Sequence, residues 1–531
     1  MAFRHFIARR MVHGGVLIGA ILICWMASKI ALQILVEGRS DDLHAVDTFQ
    51  NIAETKTTNE MTSDFTVGKP KEESAHKAKE DGSYKTNEKT ADNTLKETAN
   101  KLNKESVPNT KKSQKKDRFG DDVKHPILLW WTYSPGKRPG EYVSCGNVKC
   151  YITDDKEYFD HDLTRILMFY GTDMLMNELP LPRHPKHEWG LLHNESPKNN
   201  RYWFSHPEIM HMFNYTSTFK RESDYPITTQ DVEDIEYLQT KKYYIPLQEK
   251  NKLLAKEGLA PIVYVHSDCN VPSDRDAFVK ALQKYIPVDA YGKCQNNKKM
   301  PPHIDGLLQL QHKDFFKLMA KYKFTLAMEN AVCDDYVTEK FWRTIHLGSV
   351  PIYFGSPKIK DFLPNDPSAI IIQDYKNISQ LADFIHHLNK NDEEYAKYMQ
   401  HKVQGVTNKY LIDRVKNREW GYTGNRKYYH WTAGFECYAC SKMHENLKRE
   451  KLGEQTEIHQ SKQDHYGCPP PKRFDLETES TEQFTVERWN EEYLMTQTES
   501  KLLIKWIAQG KIRFKENDLI KEGLKLRGIN Y

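Results

Sequence analysis

Tyr336, Glu339 and Lys340 crowd a phenol, a carboxylate and an ammonium into one short run, Tyr336-Val-Thr-Glu-Lys340. The stretch around them, Lys321 to Pro357, reads as strand, loop, helix and strand. Apolar Phe324–Met328 is expected as the first strand, Glu329 to Asp334 as the loop and Asp335 to Leu347 as the helix. Gly348-Ser349 should end that helix, and Val350–Phe354 should form the next strand. In a parallel βαβ unit of this kind, ligands bind beyond the carboxyl ends of the strands, where the helix start offers free N–H groups to a phosphate. On a helix beginning at Asp335, Tyr336 and Lys340 share a face and Glu339 sits beside them. Spacing alone fits a solvated helix surface equally well. A second constellation is Asp274-Arg275-Asp276. Its Asp-x-Asp form suits a metal, and its place at an expected helix start after Asn270-Val-Pro-Ser273 equally suits capping acids around a functional arginine.

The elements that would position these groups follow from the rest of the chain. With 531 residues, 39% of them hydrophobic, there is material for two domains and accessory segments. A net charge of +4 demands no nucleic-acid partner. Arg4, Arg9 and Arg10 precede a mostly apolar run, residues 12–36, long enough to cross a bilayer. A cleaved signal peptide ending near Ala27-Ser28 is the other reading of the same run. Basic residues before it and Glu37, Asp41 and Asp42 after it place residues 1–11 in the cytosol and the remainder in the lumen. Residues 37–122 are rich in Lys, Glu, Thr and Asn with few large apolar side chains, so a disordered stem is expected. Pro126-Ile-Leu-Leu-Trp-Trp131 opens a first strand-led unit, residues 123–255. After a Lys/Glu-rich lead-in, Leu247 to Gly258, Pro261-Ile-Val-Tyr-Val265 opens a second, residues 256–440. Residues 441–531 read as a polar, partly helical extension, with Trp489 to Ile507 amphipathic.

A luminal location makes two further signals coherent. Sequons at Asn194, Asn214 and Asn377 are candidate glycosylation sites. Of nine cysteines, Cys24 lies in the apolar run, which leaves an even number suited to disulfides. Cys437-Tyr-Ala-Cys440 also offers half of a zinc site.

The run MENAVCDDYVTEKFWRTIHLGSVPIYFG, within Phe324 to Gly355, resembles the signature of the α1,3-fucosyltransferase family, glycosyltransferase family ten. HNESPKNN resembles that family's Glu-Ser-Pro acceptor-side loop, and HSDCNVPSDRDAFVKAL resembles its donor-side segment. HNESPKNN, together with TSTFKRESDYP, IPVDAYGKC, NDEEYAKY, REWG and GFECYAC, is similar to the divergent branch of fucosyltransferases ten and eleven, which act on Ser or Thr of EMI-type protein domains. The resemblance implies a GT-B α/β fold, two facing Rossmann-like domains with the donor held by the second. It implies GDP-L-fucose as co-substrate, no required cofactor or metal, a divalent ion being at most stimulatory, and a glycoprotein or folded protein domain as acceptor. Glu195 becomes the general base. Arg275 and Lys340 carry diphosphate charge, Tyr336 contacts phosphate, Glu339 the ribose hydroxyls, and Glu329 and Asn330 line the donor-pocket rim. A cysteine pair near the start of the catalytic region, here Cys145 and Cys150, joins one near its end, Cys437 and Cys440. The implied setting is a single-pass type II protein of the reticulum or Golgi membrane. Fucosylation of N-acetylglucosamine on N-glycans, a lectin or adaptor without catalysis, and a nucleotide-diphosphate hydrolase are the competing readings.

Overall fold

The computed structural model describes residues 123–132, 138–305, 310–418, 430–456, 458–471 and 484–529. The apolar run 12–36 and the stem 37–122 lie outside them, and among the described residues no helix is long and apolar enough to cross a membrane.

Two sheets organise the chain. The first contains β1 (Ile127–Trp130), β2 (Glu141–Cys145), β3 (Val148–Thr153), β4 (Thr164–Tyr170), β5 (Glu188–His193) and β6 (Tyr215–Thr218). Their order is β2-β3-β1-β4-β5-β6, parallel except for the antiparallel edge strand β2. All four residues of β1, Ile-Leu-Leu-Trp, are buried, as a parallel strand covered on both faces requires. The second sheet contains β7 (Ile262–His266), β8 (Val288–Gly292), β9 (Phe324–Met328), β10 (Val350–Phe354) and β11 (Ile370–Ile371). It is wholly parallel, in the order β11-β10-β9-β7-β8. After β7 the chain moves outward to β8, and after β9 it moves the opposite way to β10. The carboxyl ends of β7 and β9 therefore flank a topological switch point, where a crevice opens in a sheet of this type.

Several expectations change. The Lys/Glu-rich lead-in forms a helix, Leu247–Glu257, closed by Gly258 in the left-handed conformation at φ 61°. Buried Lys250 on that helix donates to Tyr322 O at 2.7 Å, Gly348 O at 2.8 Å and Ser349 Oγ at 3.0 Å. The helix thus belongs to the second sheet, and a boundary near residue 255 cuts through it.

Segment 441–531 is partly helical as expected, and it is also packed into the first sheet's core. The helix His430–Lys451 runs straight through residue 440, and Phe484–Ala508 and Glu516–Leu526 are helical. Tyr466, Cys468, Leu502, Leu503, Trp506 and Leu519 share a core with Leu129, Leu167, Phe169 and Trp189 of the first sheet. Burying each of the larger apolar side chains contributes about 1.5–3 kcal/mol, which a polar average over the segment conceals.

Cysteine pairing is complete among the described cysteines. Cys145–Cys437 and Cys150–Cys440 join the two pairs as the family resemblance implies, and Cys269–Cys294 and Cys333–Cys468 add two further bonds. Cys437 and Cys440 are thereby withdrawn from zinc ligation.

Candidate active site

A further change of expectation concerns the signature helix, which begins at Glu339, not at Asp335. Asp335 takes a left-handed φ of 63°, and Thr338 caps the helix. Tyr336 is therefore a loop residue, and its nearness to Lys340 owes nothing to a shared helix face. The loop is held from the first sheet's side. Arg221 donates to both Asp335 oxygens at 2.6–2.9 Å and to Asp361 Oδ2 at 2.9 Å. These fixed partners allow a buried aspartate to keep a left-handed backbone.

β9 delivers Glu329 and Asn330 to the crevice. Glu329 is fully buried, with Oε1 accepting from Thr338 N at 2.8 Å and Oε2 from Thr338 Oγ1 at 2.7 Å. Lys340 Nζ lies 3.4 Å from Glu329 Oε2, 3.3 Å from Glu339 Oε1 and 2.9 Å from Thr338 Oγ1. Burial alone would lower the Lys340 ammonium, but Glu339 and Glu329 raise it above its ordinary value, so it stays charged. Burial works against the Glu339 carboxylate, and Lys340 and Arg343 overcome that and hold it ionised.

Arg275 begins the helix Arg275–Leu282, which follows β7. The residue is 2% exposed, and its guanidinium donates to Met328 O at 3.0 Å and Asp268 O at 2.8 Å. Ser273 reinforces that seam, with N donating to Asn330 O at 3.0 Å and Oγ to Glu329 O at 2.7 Å. The arginine thus presses its charge on the crevice from behind. Capping by Asp274 does not occur: this residue sits at φ 51° and its side chain makes no capping hydrogen bond. Asp276 turns away, accepting from Tyr264 Oη at 2.8 Å and Asn270 N at 3.3 Å.

Glu195 arrives from the other sheet, two residues beyond the end of β5. Its Oε2 accepts from Tyr336 Oη at 3.4 Å, across from one sheet's loop to the other's. Burial pushes the Glu195 carboxyl up to about 7, with Lys340 and the Tyr336 hydrogen bond lowering it and Glu339 raising it. Tyr336 is itself pushed well above 10 by burial and by the surrounding carboxylates, so its hydroxyl remains a donor.

The structure therefore brings together Glu195, Glu329, Tyr336, Glu339 and Lys340, with Asn330 and Arg275 along the seam behind them. Sequence reasoning missed Asp231, whose carboxyl is pushed well above the ordinary range by burial and by Glu339. It also missed Tyr466, whose hydroxyl donates to Glu195 O at 3.2 Å. Neither carries a local motif.

The sequons separate by burial. Asn214 is 4% exposed, accepts from Trp189 N at 2.8 Å and from Arg183, and donates to His459 O at 2.8 Å. A glycan has no room there, and this candidate is withdrawn. Asn377 caps the helix Ile378–Lys390 at the surface. Asn194 accepts from Tyr170 Oη at 3.1 Å, next to Glu195 in the chain.

A carboxyl raised by burial on one α/β sheet, set against an ammonium at a helix start on the other, is an arrangement suited to group transfer. The chain matches "Fucosyltransferase, N-terminal" over residues 123–229 and "Glycosyltransferase family 10 (fucosyltransferase) C-term" over residues 253–461. It belongs to glycosyltransferase family 10 and is a fucosyltransferase. It is 41% identical over 405 residues to GDP-fucose protein O-fucosyltransferase 3 of Danio rerio, covering 74% of this chain and 87% of that one. The protein of the same name from Homo sapiens is 42% identical over 352 residues, 66% of this chain and 72% of that one. A crystal structure of an α1,3-fucosyltransferase with GDP-fucose aligns over 68% of this chain and 97% of that one, at 16% identity and a TM-score of 0.35.

Proposed function

We propose that this enzyme moves L-fucose from GDP-L-fucose, with inversion at the anomeric carbon, to a Ser or Thr hydroxyl of a folded, EMI-type protein domain. The observation that carries the chemistry is the hydrogen bond from Tyr336 to Glu195, which sets a base from the first sheet against the anion site of the second. The names of the relatives support the donor and the protein acceptor. The two-sheet arrangement is read as GT-B, with the donor in the crevice beyond β7 and β9.

The acceptor oxygen attacks the anomeric carbon from the face opposite the diphosphate. As the new α-linkage forms, the bond to the diphosphate oxygen breaks and Glu195 takes the acceptor proton. Lys340, the first turn of Glu339–Leu347 and Arg275 behind them face the charge that develops on the diphosphate. Glu339 is assigned to the ribose hydroxyls, whereas Glu329, with both oxygens occupied, fixes Thr338 and Lys340. Because these cations are already in place, no step is assigned to a metal. Residues 12–36 are read as a signal-anchor and the site of action as the lumen of the reticulum or Golgi.

Purified enzyme with GDP-fucose should add one deoxyhexose to a folded EMI-type domain and none to a glycopeptide ending in N-acetylglucosamine. Mass spectrometry reads both. The reverse preference would exclude the protein-acceptor reading, and hydrolysis without transfer would exclude both.

A further inference from the structure

We infer that Tyr466 and the Cys333–Cys468 bond are positioning elements for Glu195, closing a ring that holds the base against the loop bearing Tyr336. The inference rests on the reading of Glu195 as the base. The ring can be followed atom by atom. Tyr466 Oη donates to Glu195 O at 3.2 Å. After Gly467, which turns the chain at φ 53°, Cys468 is bonded to Cys333. Tyr336 N donates to Cys333 O at 3.3 Å, and Tyr336 Oη returns to Glu195 Oε2 at 3.4 Å. None of Cys333, Tyr336, Tyr466 and Cys468 is more than 2% exposed.

Packing locks the ring. The Tyr466 centroid lies 5.2 Å from both His193, the last residue of β5, and Phe219, and Phe219 lies 4.9 Å from Tyr336. His465 is tied to β6, where Thr216 Oγ1 and His465 Nδ1 are 2.8 Å apart. The support comes from residues past 461, where the family match ends. Such a ring is useful because the base and the anion site stand on different sheets and would otherwise drift with them. A displacement of about 1 Å at a reacting group can cost about 10² in rate.

Tyr466→Phe keeps the ring packing and removes one hydroxyl, whereas Cys333→Ser/Cys468→Ser opens the ring. With the folded enzyme, GDP affinity should remain within about twofold in both, while kcat falls about tenfold in the first and about 10²-fold in the second. The acid limb of kcat/KM should also move down from near 7 as water reaches Glu195, because burial is the largest cause of its raised value. A bond that merely staples the core would lower the melting temperature and leave both kcat per folded molecule and the limb unchanged. That outcome overturns the inference. If the double variant fails to fold, Tyr466→Phe decides alone. Glu195→Gln measured in parallel separates the two ideas. Normal turnover in that variant removes the base itself, whereas its loss beside a normal Tyr466→Phe removes only the positioning.

Discussion

Glu195 should set the acid limb of the pH–rate profile, and the position of that limb follows from its surroundings. Burial raises the carboxyl from an ordinary 4.5 to about 7, more than Lys340 and the Tyr336 hydroxyl lower it. With that value, about half of the enzyme carries an ionised base at pH 7, about a tenth at pH 6 and about a hundredth at pH 5. kcat/KM should therefore fall about tenfold per unit below 7 and level off above it. Glu195→Gln keeps the shape and still accepts from Tyr336, but it cannot take a proton, so the rate should drop by about 10²-fold or more and the limb should vanish. Stability carries the opposite sign. A carboxyl raised in the folded state gives its full contribution below 4.5 and loses it as pH rises through 7, so Glu195→Gln should gain in melting temperature over wild type more at pH 8 than at pH 4. The assay is transfer from GDP-fucose to a folded domain across pH 5 to 9, with thermal melts at both ends. An unchanged limb in Glu195→Gln, or turnover like wild type, would refute the assignment.

Three other outcomes are expected. Lys340→Ala should weaken GDP binding by about 1.5–3 kcal/mol, a charged contact in a largely buried site, and unchanged calorimetric affinity would remove Lys340 from the donor pocket. In a secreting cell, Asn377→Gln should remove one glycan and Asn214→Gln none; peptide mapping that finds a glycan on Asn214 would contradict its burial. The bonds Cys145–Cys437 and Cys150–Cys440 close interleaved, almost coextensive loops with separations of 292 and 290 residues, so either can hold the long loop while the other is cut. By loop entropy, breaking one should cost about 3 kcal/mol and breaking both about 8, and denaturant curves showing simple additivity would count against that mechanism.

What was legible in the sequence was local. The strands β9 and β10 were readable because apolar runs, a loop and a glycine stop lie in one short stretch, and no distant contact alters them. The start of the signature helix was misplaced because Asp335, Tyr336 and Val337 are compatible with helical periodicity. Only Arg221, more than a hundred residues earlier, reveals that Asp335 is held left-handed. Asn214 satisfied a three-residue pattern, and a pattern of that length says nothing about Trp189 N or His459 O beside it. Tyr466 and Cys468 sit in a stretch whose average is polar, and their partners Glu195 and Cys333 are brought to them only by the fold. Arg275 lies along the seam behind Glu329 and Asn330, and its contacts are with carbonyls, which no spacing could indicate.

That placement of Arg275 bears on how the site tolerates its donor. Glu195, Asp231, Glu329 and Glu339 converge on Lys340, with Arg275 adding its charge from behind. Four ionised carboxylates there would repel an incoming diphosphate. Glu339 remains ionised against Lys340 and Arg343, but burial pushes Asp231, Glu329 and Glu195 upward. With Asp231 and Glu195 able to hold protons near neutral pH, the cations can dominate while the anion enters. Glu195 must then lose its proton to act, and the value near 7 serves both needs: low enough to ionise at neutral pH, high enough that the charge is not fixed when the donor arrives. On the proposed role of Glu195, the burial that Tyr336 and Tyr466 maintain around it is therefore part of the chemistry, because it keeps the carboxyl uncommitted until an acceptor hydroxyl is in place.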